Sequence, residues 1–230
     1  MTQVSIWRAV LIIYPELDVR IGRRRFHHIA SKTDIEDAVS SFRAFPALAA
    51  NLTNGAARVT AHEMMTQEPL RSVSPHGENA FWPSPDDTRR ELDRFAPPGS
   101  CESIFIFWPQ HDFAANESVP GWAWGYGMGA SDWTNRATYA AVANAPTVSW
   151  TREAPGEVWL HEWLHGVCHH FAERGHVMPS RDADGAEVNG YVRSGKEGWT
   201  DYYRDLMSGQ VKEGERSLGI PLAAWTEKLA

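Results

Sequence analysis

The alternation of strand-like and helix-like segments along these 230 residues predicts an α+β fold that closes with a smaller, mostly helical C-terminal part. Three stretches carry that prediction. Ser103-Ile104-Phe105-Ile106-Phe107-Trp108 is apolar almost throughout, as a central strand covered on both faces must be. Residues 155–172 place Leu160, Leu164, Val167 and Phe171 at i, i+4, i+7 and i+11, which is the apolar stripe of a core-facing helix. Trp199 to Met207 reads as a further helix, packing beneath the one before it.

The remaining elements follow in chain order. Residues 7–15 read as a strand ending near Pro15. The triplet Arg23-Arg24-Arg25 reads as an exposed strand end or turn. Thr33 with Glu36 has capping-box spacing and opens a helix through Phe42 to about Leu48. Asn54-Gly55 is a turn signal, and Ala57 to His62 a short strand. Ser84-Pro85, with Asp86 and Asp87 in the first turn, starts a helix through Arg94 that Pro97-Pro98-Gly99 ends. Residues 120–129, rich in glycine and aromatics, read as an irregular loop or short hairpin. Trp122, Trp124 and, beyond it, Trp133 either line a groove or cover the core. Ala137 to Val142 is a strand, and Pro155 and Gly175 bracket the helix over 155–172. Pro221 to Ala230 reads as a short helix or tail.

Composition narrows the function classes. An apolar content of 43% supplies a core for one large domain or two small lobes. A net charge of −7, with Arg23–Arg25 the only basic cluster, argues against a nucleic-acid partner. The run Ala9 to Ile13 is too short for a membrane span and lacks the flanks of a signal peptide, so no membrane association and a cytoplasmic location are expected, with non-classical export as the alternative. Cys101 and Cys168 make no disulfide framework, and Cys168 reads as a reduced, buried thiol in the long helix.

That helix carries the chemistry. His161-Glu162-Trp163-Leu164-His165 is an H-E-x-x-H pattern. Residues four apart share a helix face, so both imidazoles can reach one metal ion, with Glu162 beside them as general base. At roughly 100° per residue, the two histidines fall about 100–140° round from the apolar stripe, flanking the core and facing a cleft. Half of the ten histidines (161, 165, 169, 170 and 176) lie in this stretch. His169 reads as lining the cleft, and His170 as facing solvent.

The pattern, with the element order over residues 100–210, resembles a zincin metallopeptidase. The resemblance implies a mixed sheet with a backing helix above the active-site helix, and a substrate chain added along the edge strand before that helix, here 137–142. It implies Zn²⁺ as cofactor, a peptide or protein as substrate, and residues 99–230 as the catalytic region. Residues 1–98 carry no motif but could complete the sheet. A catalytic zinc site has three protein ligands. Cys168 and Phe171 occupy the positions where the metzincin subgroup needs glycine and histidine, so that subgroup is set aside. The gluzincin-like reading favours Glu187 as third ligand. Asp184 and Asp182 compete for it in an aspzincin-like reading, with His176 or a residue of the last helix also open. Tyr191 and Tyr202, with Tyr203 behind them, are the candidates to steady the oxyanion. Two alternatives stay open: a zinc hydrolase of a non-peptide amide or small metabolite, and a non-enzymatic zincin-like binding protein.

Overall fold

Alternation along each strand builds the sheet. In the computed structural model, which describes residues 5–121, 125–145 and 154–226, strand β1 (Trp7–Ile13) sends Trp7, Ala9, Leu11 and Ile13 to one face and Ile12 to the other. A hairpin follows, β2 (Glu16–Ile21) with β3 (Arg24–Ile29), then helix α1 (Lys32–Leu52) and strand β4 (Val59–Met65). The short ladder β5 (Ser74–Pro75) with β6 (Phe81–Trp82) precedes helix α2 (Arg89–Phe95). Next come β7 (Ser103–Trp108), the ladder β8 (His111–Asp112) with β9 (Glu117–Ser118), β10 (Gly125–Met128) and β11 (Thr138–Ala143). Helices α3 (Glu157–Ala172) and α4 (Thr200–Ser208) and the hairpin β12 (Val211–Glu213) with β13 (Arg216–Leu218) complete the described elements.

The architecture is α+β. Five strands form one mixed sheet in the order β10-β11-β7-β1-β4, in which β10 alone runs antiparallel to its neighbour. The central position expected for Ser103–Trp108 holds: β7 is third of the five, and all six of its residues are buried. Phe105 and Phe107 join the core under α1, α3 and α4. Ile104, Ile106 and Trp108 join the second core, under the β2–β3 hairpin and α2. β11 divides in the same way, with Ala140 and Val142 on one face and Tyr139 and Ala141 on the other.

Helix α1 lies beside α3 on one face of the sheet. Phe42 packs edge-on against Phe105 of the sheet and Trp159 of α3, with ring centroids 5.2 Å apart in both pairs. Phe45 meets Trp163 at 5.1 Å. The chain after α3 folds back over it: Trp225 stacks on Trp163 at 5.7 Å and donates its indole N–H to the Met207 carbonyl.

Several boundaries differ from expectation, each for a local reason. The first strand stops at Ile13, before Pro15, and the short strand expected at Ala57 to His62 is displaced to Val59–Met65. The N-cap of α1 is Ser31, whose hydroxyl accepts from the Asp34 N–H while Asp34 accepts from the Ser31 N–H. That reciprocal pair replaces Thr33 and Glu36. The helix then runs through Pro46 to Leu52, its far end anchored by buried Ala49 and Leu52. Ser84 and Asp87 bond reciprocally in a turn, and α2 begins only at Arg89. Pro155 precedes α3, which starts after Gly156. There φ is +91°, and a Cβ would stand 2.7 Å from the Phe45 backbone, so glycine is what lets α3 begin against α1. The arginine triplet forms the β2–β3 turn and the start of β3, with Arg25 paired to Asp18.

The largest correction concerns the sheet edge. β11, expected as the edge strand, is hydrogen-bonded on both sides, to β7 and to β10. The edge is β10, within the segment read as a loop or hairpin. Its sequence Gly125-Tyr126-Gly127-Met128, continuing to Gly129, alternates with period two. Tyr126 and Met128 pack against the second core. The glycines face α3: a Cβ at Gly127 would collide with the Glu162 carbonyl oxygen, and one at Gly129 would stand 2.5 Å from His169 Nδ1. Close strand–helix approach requires glycine here, so the composition of a loop belongs to a strand. Trp122 and Trp124 lie outside the described residues. Among the described residues, no helix is long and apolar enough to cross a membrane.

Candidate metal centre

Helix α3 is buried around most of its circumference. Trp159, Leu160, Trp163, Leu164, Val167, Cys168 and Phe171 are each at most 1% exposed. His161 and His165 occupy the narrow strip left over, where they line a cavity of about 500 Å³. Their rings meet edge to face with centroids 5.0 Å apart. The cavity is also bounded by Gly125, Tyr126 and Gly127 of β10, by Glu162 and Asp184, and by Trp199.

Each imidazole is oriented from behind. His165 Nδ1–H donates to the Asp182 carboxylate at 2.6 Å. His161 Nδ1 is 2.8 Å from the Tyr203 hydroxyl, and in the tautomer with Nδ1 protonated it donates there. Both Nε2 atoms therefore turn toward Asp184, at 3.5 Å for His161 and 4.0 Å for His165. His161, His165 and Asp184 bring one ligand atom each to within 4.8 Å of one another, and among the described residues this is the one such group. Outer partners of this kind fix which imidazole nitrogen is available to a metal.

The electrostatics treat the two imidazoles differently. Burial, helped by neighbouring His165, lowers His161 to about 3, which keeps it neutral and able to ligate. Burial also pulls on His165, but the Asp182 hydrogen bond and the surrounding carboxylates outweigh it and raise that pKa. Glu162 is 3% exposed, with Oε1 4.0 Å from His161 Nε2. Its burial, reinforced by Asp184 and Asp182 against the opposing pull of His165, pushes the carboxyl up to about 8. A cation placed among these groups would favour the ionised form again.

Asp184 comes from a different kind of structure. It lies in a 3₁₀ turn, Asp182–Gly185, entered through two non-glycine residues with positive φ, Arg181 at 66° and Asp182 at 36°. Such conformations are uncommon outside glycine and persist only where neighbours hold them. Here the holding groups are His165 and Tyr202, whose hydroxyl donates to the Asp182 carbonyl, and Asn189, which donates to the Gly185 carbonyl at 2.7 Å.

The structure brings Asp184, not Glu187, to the histidines. Ala183 and Ala186 are buried against the core, and this turns Glu187 and Val188 outward to solvent. Asp182 serves His165 from behind and is not one of the three clustered ligands, nor is His176, whose ring rests on Phe171. Tyr191 and Tyr202 do not line the cavity either. Tyr191 donates to Asp205 at 2.5 Å, and Tyr202 secures the aspartate turn. Of the three tyrosines, Tyr203 is the one that touches a histidine of the motif.

His169 lines an adjoining depression with His165 and Asp182. His170 is not solvent-facing: it packs edge-on against Trp7 at 5.3 Å, and burial lowers it to about 4. Cys101 and Cys168 are free and buried, and burial raises both thiols. Trp133 packs over Trp82 and donates to Asp86, away from the cavity. Trp199 and Tyr126 are the aromatic residues of the lining, and Tyr126 turns its ring to the other face of the sheet, onto Trp82 and His76.

No family model matches this sequence, and no curated protein matches it.

Proposed function

We propose that this chain is a zinc-dependent hydrolase of peptide bonds with the organisation of a zincin. The observation that carries the reading is the convergence of His161, His165 and Asp184 on one point, with the buried carboxyl of Glu162 beside them. The donor set fits: two imidazole nitrogens and one carboxylate oxygen suit zinc and leave a position open, and the same donors also accept other divalent ions such as iron(II). The mixed sheet, helix α1 beside α3, and the antiparallel edge strand β10 running along α3 support the zincin resemblance. With Asp184 as third ligand, the aspzincin-like variant is favoured over the gluzincin-like one.

Zinc at this site would supply Lewis acidity, making hydroxide available near neutral pH and polarising a carbonyl. Glu162 takes the proton of the attacking water and returns it to the leaving amine, as its position beside the cluster allows. Asp182 and Tyr203 hold the imidazoles in one tautomer. β10 offers a sheet edge for an extended chain. That edge supports a peptide, which can add to it as an extended chain, over a small metabolite.

The test is metal content of the untagged protein by mass spectrometry with His161→Ala beside it, followed by cleavage of casein and a peptide library. One zinc per chain, absent from the variant, with peptide cleavage, is the expected result. Failure to hold zinc after it is added back would remove the reading.

A further inference from the structure

We propose a second ligand site, at the C-terminal end of α3 beyond the metal centre, that takes a small carboxylate carried on a flat aromatic body. It does not depend on the hydrolase reading. A cavity of about 400 Å³ opens there, a size usual for small-molecule sites. It lies where the parallel strands β1, β7 and β11 begin and α3 ends, and its described lining shares no residue with that of the 500 Å³ cavity. Trp7 and His170, meeting edge to face, give it an aromatic wall. Arg174 and Arg136 give it cations.

Both arginines are positioned, and both keep donors to spare. Arg174 Nη1 donates to His170 Nδ1 at 3.1 Å and to the His170 carbonyl at 3.0 Å. Arginine has no acceptor, so His170 Nδ1 carries no proton, in keeping with the neutral ring that burial favours. The second bond covers a carbonyl of the last helical turn, which would otherwise repel an anion. Among the described residues, Arg174 Nε and Nη2 have no hydrogen-bond partner and no carboxylate pairs with Arg174. That edge of a guanidinium grips a carboxylate by two parallel bonds. Arg136 spends Nε on Asp132 at 2.8 Å and leaves both Nη groups unpartnered among the described residues. It sits in a strained turn: Asn135 and Arg136 are successive non-glycine residues with φ of 54° and 64°. Asn135, 6% exposed, holds that turn by donating to the Ala96 carbonyl at 2.9 Å and accepting from Arg89 at 2.7 Å. Strain of this kind persists where neighbours over-determine it, and it gathers at functional sites. The carboxylates of the lining do not cancel the arginines. Glu102 is neutralised by Arg8, which donates to it through its backbone N–H, Nε and Nη2 and also holds the Gly99 carbonyl of the same wall at 3.0 Å. Glu173 has Oε1 3.7 Å from His169 Nδ1.

Binding of an acid against its neutral amide tests this. 2-Naphthoate and 2-naphthamide are titrated by calorimetry into the full chain, once with a metal chelator present and once without. Naphthoate should bind about tenfold or more tighter than the amide, equally under both conditions. Arg174→Gln should abolish that preference, and Arg136→Gln should reduce it by a smaller factor. Both side chains are exposed, so both variants should melt with the wild type. The wild-type comparison needs no variant to fold: no binding, or no preference for the acid, overturns the site. A preference that survives either substitution also overturns it, as does one that the chelator removes, since the carboxylate would then sit on a metal.

Discussion

The two halves of the metal centre are built in opposite ways. α3 supplies His161, Glu162 and His165 from a helix locked between sheet, α1 and the folded-back C-terminal segment, with Trp159 buried just before the motif and Trp163 buried within it. Asp184 comes from a short turn, its side chain 64% exposed, held through one carboxylate, one tyrosine and one asparagine. The helix half is preorganised by core packing and would keep its geometry without a metal. The turn half is kept in place by polar contacts that include a ligand histidine. Groups that do chemistry belong on the rigid half, and the ligand that completes the site can sit on the adaptable one.

The sharpest test of that division is Glu162→Gln. The amide is isosteric and Glu162 is not among the clustered ligands, so zinc content should not change. The loss of a general base should lower kcat by about 100- to 10,000-fold. Retained turnover against a peptide that the wild type cleaves would take the base role from the helix half.

Next in size is Asp184→Ala, read against Glu187→Ala. Removing a direct ligand should weaken zinc binding by more than the roughly 10- to 100-fold typical of an outer partner. The zinc-free protein should melt at an unchanged temperature, because Asp184 is exposed and stands among other carboxylates. The zinc-dependent rise in Tm, which follows from ligand binding to the native state, should vanish. Glu187→Ala should leave both quantities as they are. Calorimetric zinc titration and thermal melts decide it, and the reverse pattern would hand the third position to Glu187.

The same division explains what could be read from sequence. The motif and apolar stripe of α3 are local: spacing on one helix places both histidines on one strip, which the core leaves open. The third ligand is not local. Asp182, Asp184 and Glu187 lie within six positions and have the same acid chemistry. Which of them turns inward is set by the burial of Ala183 and Ala186, a fact of tertiary packing. β10 was hidden for a related reason. Glycine discourages strands in isolation, yet here the alternate glycines are what the facing helix demands, because the Glu162 carbonyl occupies the space a Cβ would need. The cap of α1 was missed by two positions, since Ser31 with Asp34 and Thr33 with Glu36 offer the same spacing and only the first pair closes.

The smallest effects separate the two outer partners, one behind each histidine. Asp182→Ala removes a charge-assisted bond to His165 and one support of the turn that carries Asp184, so zinc affinity should fall by about 10- to 100-fold. Tyr203→Phe removes a neutral hydroxyl behind His161 and keeps the ring in the core, so its cost should lie near the lower end, about tenfold. The double variant then asks whether the halves are independent. Tyr203 orients a helix ligand and does not touch the turn, whereas Asp182 belongs to the turn, so the two losses in zinc-binding free energy should add to within about 0.5 kcal/mol. A larger discrepancy would mean that the halves communicate. The route is short: Tyr202, which holds the Asp182 carbonyl, is the chain neighbour of Tyr203, and their rings lie 5.9 Å apart. In that case α4 would be the element that ties the aspartate turn to the helix, and the rigid and adaptable halves would be one unit.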